Sequence, residues 1–188
     1  MSNIDLFKSE IKEIKNKEYR NIIKKVLKAT PSYAFKMPAS SSGEHHTLDE
    51  LHPGGMVVHH KKCFRLSEIA ARRYDIVGVR LDILKSACLI HDFPFRFLVD
   101  DNGEHRTNYK HPFLNAKFLQ DIDAPDLMVA AVYFHMGRWA DYSSEEAICF
   151  NDLDYIYKLR NDDVILATQE ADYYCSRKQM IFSDWFRN

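Results

Sequence analysis

Six residues in this chain have the types and the order needed to hold metal ions: His59, His91, Asp92, His111, His135 and Asp172. His91 and Asp92 are adjacent, at the end of the apolar run L-D-I-L-K-S-A-C-L-I, and the chain turns straight afterwards at Phe93-Pro94. A carboxylate has two oxygens and can bridge two cations, whereas a neutral imidazole offers only the ring nitrogen that carries no proton. Each of the others also has an ordinary use. His111 precedes a proline and reads as a helix starter. His135 closes the apolar run V-A-A-V-Y-F-H, as a core histidine would, and His59 could face solvent beside His60. Asp172 shares a helical face with Thr168 and Cys175, where an unpaired carboxylate is costly to bury; a metal or an outward orientation would relieve that cost.

The elements that must position these residues read as helices. Residues 5–29 form an amphipathic pattern, with Ile11, Ile14, Ile22, Ile23, Val26 and Leu27 inward and lysines opposite, and Pro31 ends it. Residues 31–55, rich in Pro, Ser, Gly and His, read as an ordered loop of the kind that walls a site. Helical patterns follow at 56–74, 79–92, 111–120, 125–135 and 162–181, with a weaker one at 144–159. The D-D-N-G stretch at 100–103 suggests a tight hairpin of type I′. Strand signals are weak elsewhere, and neither an internal repeat nor a domain boundary is visible. The expectation is an all-α, single-domain bundle over 1–188, with an N-terminal helix (1–30), an ordered loop (31–55) and a helical core (56–181).

Composition narrows the function classes. The chain has 188 residues, 46% hydrophobic and 28% charged, enough for one sizeable core. A net charge of −1 gives no overall drive toward nucleic acid or membrane. No apolar run is long enough to span a bilayer, and M-S-N-I-D-L-F-K has no signal-peptide core, so a cytoplasmic location is expected. Cys63, Cys88, Cys149 and Cys175 form no C-x-x-C pair and read as buried free thiols.

The order H59…H91-D92…H111…H135…D172 resembles the HD-domain superfamily of metal-dependent phosphohydrolases, over about residues 40–180. Local context strengthens the likeness. P-G-G-M-V-V-H-H-K at 53–61 resembles the family's G-G-L-x-x-H-T segment, and P-A-S-S-S-G-E-H-H at 38–46 resembles the segment that precedes it in some members. F-H-M-G-R-W at 134–139 and A-D-Y-Y-C-S-R at 171–177 resemble the later H-x-G-x-W and A-D-x-x-x-S-R pieces. The resemblance implies an all-α fold and the dinuclear branch of the family. His59, His91, Asp92 and Asp172 would hold one divalent metal, Asp92 would bridge, and His111 and His135 would complete a second. Mixed nitrogen and oxygen ligands suit Fe, Mn, Ni, Co or Zn.

The implied activity is cleavage of a phosphate ester, of a nucleotide or related small molecule, by a metal-activated hydroxide. Arg138, three residues after His135, is the first candidate to grip phosphate; Lys62, Arg65, Lys110 and Arg177 are others, and each is equally suited to an exposed surface. The family commonly follows its HD pair with Gly-Lys. Here the continuation is F-P-F-R, so the lysine is missing and Arg96 is the candidate to replace it. His46 and His52, with His45, lie just before the first ligand and are candidate proton donors. Tyr133 and Trp139 suit a wall for a flat group or core packing. Two other functions share the ligand set: a di-iron oxygenase on the same scaffold, and a non-catalytic module binding metal or nucleotide.

Overall fold

The structure is a computed structural model that describes residues 2–40, 43, 46–137 and 153–177. Among them are eight α-helices: α1 (Lys8–Glu13), α2 (Lys17–Ala29), α3 (Gly55–Arg73), α4 (Gly78–Ile90), α5 (His111–Asp121), α6 (Asp126–Tyr133), α7 (Leu153–Lys158) and α8 (Asp163–Cys175). One two-stranded antiparallel sheet joins β1 (Phe97–Val99) to β2 (His105–Thr107), with Phe97 opposite Thr107. The expected mostly helical single domain is what forms. No described helix is long and apolar enough to cross a membrane.

α4 is the centre of the bundle. Its residues from Asp82 to Ile90 are all buried, and the polar ones among them are paired: Asp82 with the Asn16 N–H, Lys85 with Glu68 and Ser86 with the Asp82 carbonyl. It packs against α2, α3, α6 and α8. Its last turn, S-A-C-L-I, is apolar nearly all round and enclosed by these neighbours, so its C-terminal end, where the buried His91 and Asp92 follow, lies inside the molecule.

The N-terminal segment departs from the single helix expected over 5–29. A 3-10 turn (Asn3–Phe7) leads into α1, which ends at Glu13, and α2 restarts at Lys17. Asn16 makes the break. Its side chain accepts from the backbone N–H groups of Glu18 and Tyr19, and its own N–H donates to Asp82 at 2.7 Å. An Asn that can satisfy the first free N–H groups of a helix prefers the cap to the interior. The expected inward residues Ile11, Ile14, Ile22, Ile23, Val26 and Leu27 are nevertheless all buried. The 100–103 hairpin forms with a longer connection than a two-residue turn, since the Asp100 N–H bonds to the Glu104 carbonyl. Of the helix expected over 144–159, the described part is α7. Cys63, Cys88 and Cys175 are buried free thiols; Cys149 lies outside the described residues.

The loop before α3 is ordered by two 3-10 turns, Ala34–Lys36 and Leu48–Glu50. It closes onto the helix start at two glycines. Gly54 has φ of +89°, which favours glycine. At Gly55 a Cβ would fall 1.9 Å from the carbonyl oxygen of Glu50 and 3.1 Å from the Ala39 nitrogen. Both neighbours are backbone, so the loop would have to move. Gly55→Ala is expected to cost about 3 kcal/mol and about 6–12 °C of melting temperature. A variant that melts within a degree of the wild type would contradict this packing.

Candidate metal centre

The six candidate ligands converge at the middle of the bundle. α3 brings His59, the end of α4 brings His91 and Asp92, the start of α5 brings His111, the turn after α6 brings His135, and α8 brings Asp172. All but Asp172 are buried; its side chain is 18% exposed. They form two abutting clusters that share Asp92.

In the first cluster, His59 Nε2 lies 3.3 Å from His91 Nε2 and 3.2 Å from Asp172 Oδ1. His91 Nε2 is 3.5 Å from both Asp172 Oδ1 and Asp92 Oδ2, and His59 Nε2 is 4.0 Å from Asp92 Oδ2. In the second, the other oxygen of Asp92 takes over. Asp92 Oδ1 lies 2.8 Å from His111 Nε2 and 3.5 Å from His135 Nε2, and the two imidazole nitrogens are 3.2 Å apart. Ligands bound at about 2.1 Å in tetrahedral or octahedral geometry sit about 3.0–3.4 Å from one another. The observed spacings, from 2.8 to 4.0 Å, bracket that range.

The hydrogen bonding decides what these atoms can do. His91 Nδ1 donates to the Cys88 carbonyl at 3.1 Å, His111 Nδ1 to the Asn108 carbonyl at 2.6 Å, and His135 Nδ1 to the Val132 carbonyl at 2.6 Å. A proton held on Nδ1 leaves Nε2 of the neutral ring with a bare lone pair. His111 stays neutral: burial, then the neighbouring Arg96 guanidinium, lower its pKa to about 4. The imidazole nitrogens and two carboxylates therefore face one another in a buried space. Burial opposes charge on His59 and His91. Cys175 and Asp172 beside His59, and Asp92 and Asp172 beside His91, nevertheless raise both pKa values, so a proton or a metal cation balances the carboxylates there. The donor set fits one or two divalent transition metals of the nitrogen- and oxygen-preferring kind. Cys63 Sγ also falls within 4.8 Å of the first cluster's ligand atoms. Burial pushes its thiol well up, so a metal would have to displace its proton to use it as a ligand.

Asn115 fixes the turn that carries His91 and Asp92. Its side chain donates to the His91 carbonyl at 2.9 Å and accepts from the Phe95 N–H at 2.9 Å. His60, fully buried, stacks on Phe93 with ring centroids 4.2 Å apart; burial pushes its pKa well down and keeps it neutral.

Behind His59 stands a residue that sequence reasoning missed. Glu50 is fully buried. It accepts from His46 Nδ1 at 2.6 Å, pairs with Lys62 Nζ at 3.1 Å, and places Oε2 3.7 Å from His59 Nδ1. The Cys175 thiol donates to its other oxygen at 3.4 Å. Burial alone would raise the carboxyl pKa, but the bonds to His46 and His59 hold it well below the ordinary range. Glu50 is thus an anion behind a metal ligand. Glu50→Gln is expected to lower metal affinity about 10–100-fold, read by chelator competition; unchanged affinity would show that Glu50 only packs.

A cavity of about 540 Å³ opens onto the cluster. His46, Arg96, Asp92, His59, His135 and Asp172 reach it, and Arg177 and Tyr173 also line it. Of the other candidates, His52 is exposed in the turn before α3 and does not line this cavity. Lys62 is committed to Asp49 and Glu50, and Arg65 to Glu13. Lys110 is exposed, and Tyr133 is packed in the core against Phe134 and Tyr157. Arg138, Trp139 and His45 lie outside the described residues.

Fold and centre together define a mostly helical protein with a buried His/Asp cluster suited to metal. No family model, curated protein or solved structure matches the chain.

Proposed function

We propose that this chain is a metal-dependent phosphohydrolase of the HD-domain type, acting on a phosphate ester. The observation that carries the reading is the shared carboxylate, with Asp92 Oδ2 beside His91 and His59 and Oδ1 beside His111 and His135. Divalent metal bound here would supply Lewis acidity and water acidic enough to act as a nucleophile near neutral pH.

The chain's own residues do the rest. His91, His111 and His135 are held by backbone carbonyls at Nδ1, which turns each Nε2 into the cluster. Asp172 and Asp92 balance positive charge. His46 gives its Nδ1 to Glu50, which leaves Nε2 as the ring atom available to the cavity, placed to pass a proton to a departing oxygen. Arg96 Nη1 lies 3.6 Å from Asp92 Oδ1 and 3.2 Å from His111 Nε2. It brings a cation to the place where the family's lysine is absent.

The test is anaerobically purified protein loaded in turn with Mn, Fe, Ni, Co or Zn and assayed on phosphomonoesters, phosphodiesters and nucleotides. Metal-dependent phosphate release is expected. Oxygen consumption with a mixed-valent iron signal and no hydrolysis would instead make it an oxygenase. Tight ligand binding without turnover would make it a binding module.

A further inference from the structure

Two guanidinium groups reach the cavity without full use of their donors. Arg96 and Arg177 each have a buried Nε that meets no hydrogen-bond partner among the described residues. The other basic side chains nearby are spent on carboxylates: Lys62 on Asp49 and Glu50, and Arg73 on Glu170. Arg177 has no carboxylate partner among the described residues. Instead its guanidinium carbon lies 4.0 Å from the centroid of the Tyr173 ring, which also lines the cavity. Arg177 follows the end of α8, five residues past Asp172. A cation there would ordinarily interact with the helix's last carbonyls, but its unpartnered Nε belongs to a residue that lines the same cavity as Asp92 and Asp172.

We propose that Arg96 and Arg177 form an anion clamp facing the ligand cluster, with Arg177 positioned by Tyr173, and that the clamp selects a phosphomonoester over a diester. This rests on the phosphohydrolase reading. The charge count supports it. With divalent metal balancing Asp92 and Asp172, the two arginines add two further positive charges to the cavity. A phosphomonoester carries close to two negative charges at neutral pH, and a diester carries one. Guanidinium presents paired N–H donors that match phosphate oxygens, which a lysine in the same place would not.

The experiment is calorimetric titration of Mn-loaded protein with inorganic phosphate, methyl phosphate and dimethyl phosphate, with metal content and melting temperature recorded for each variant. Wild type should bind the first two and discriminate against dimethyl phosphate. Arg177→Gln should weaken phosphate binding about tenfold or more at unchanged metal content, and Arg177→Lys should recover only part of the loss. Arg96→Lys, which keeps the charge beside Asp92, should also weaken phosphate. Phosphate affinity within twofold of wild type in folded, metal-loaded Arg177→Gln would overturn the clamp, as would a wild type that binds no phosphate. The two readings fail separately. Arginine-dependent phosphate binding without hydrolysis of any ester keeps the clamp and sinks the hydrolase. Ester hydrolysis indifferent to Arg177 does the reverse.

Discussion

Asp92→Asn should leave a folded protein that no longer holds metal tightly. The substitution keeps the volume of a buried side chain but removes the negative charge that both clusters share. Asp92 Oδ2 would be lost to His91, 3.5 Å away, and Oδ1 to His111, 2.8 Å away. The first cluster would retain only Asp172 as its carboxylate, and the second would have none. Because losing even a residue behind a ligand costs about 10–100-fold in affinity, losing the shared ligand should cost at least about a hundredfold. The readout is thermal stability. Metal at a hundred times its dissociation constant should stabilise the wild type by about 2.7 kcal/mol, or roughly 5–10 °C in a domain of this size. The same metal concentration should barely move Asp92→Asn. An undiminished metal-induced shift would mean that metal binds elsewhere.

His111→Ala addresses the second cluster alone. It removes one of two imidazoles beside Asp92 Oδ1 and leaves His59, His91, Asp172 and Asp92 Oδ2 in place. Metal content of carefully purified protein should fall from two ions per chain to about one. One ion in both proteins would refute a second metal. In that case Arg96, 3.2 Å from His111 Nε2, would be the cation that balances the second cluster. Arg96→Met would then separate the two possibilities, since removing a competing guanidinium should let a second ion bind.

Much of the site was legible because its ligands lie at helix ends or on inward faces, where local pattern is informative. The apolar run before His91 and Asp92 marks a buried helix, and burial of its end follows. The six candidates do meet. What the sequence hid depends on contacts between distant parts of the chain. Glu50 sits in the polar run T-L-D-E-L and reads as a solvated loop acid, yet it is enclosed by His46, His59, Lys62 and Cys175, the last of them 125 residues away. Cys175 reads as an ordinary core thiol, and nothing local shows that its sulfur lies 3.3 Å from His59 Nδ1. His46 and His52 look alike in sequence, but His46 is tied to the buried Glu50 and lines the cavity, whereas His52 is exposed and does not. The break at Asn16 was masked by an apolar periodicity that continues through it, since both short helices bury the same kind of face.

The central claim is that His59, His91, Asp92 and Asp172 hold a metal. It is tested most directly by anomalous diffraction from crystals grown with Mn or Zn, measured on both sides of the metal's absorption edge. The ligand cluster predicts a peak about 2.1 Å from His59 Nε2, His91 Nε2, Asp172 Oδ1 and Asp92 Oδ2, with any second peak beside Asp92 Oδ1 and His135 Nε2. Metal bound between His46 and Glu50 or on the surface, with no peak among these four atoms, would contradict it.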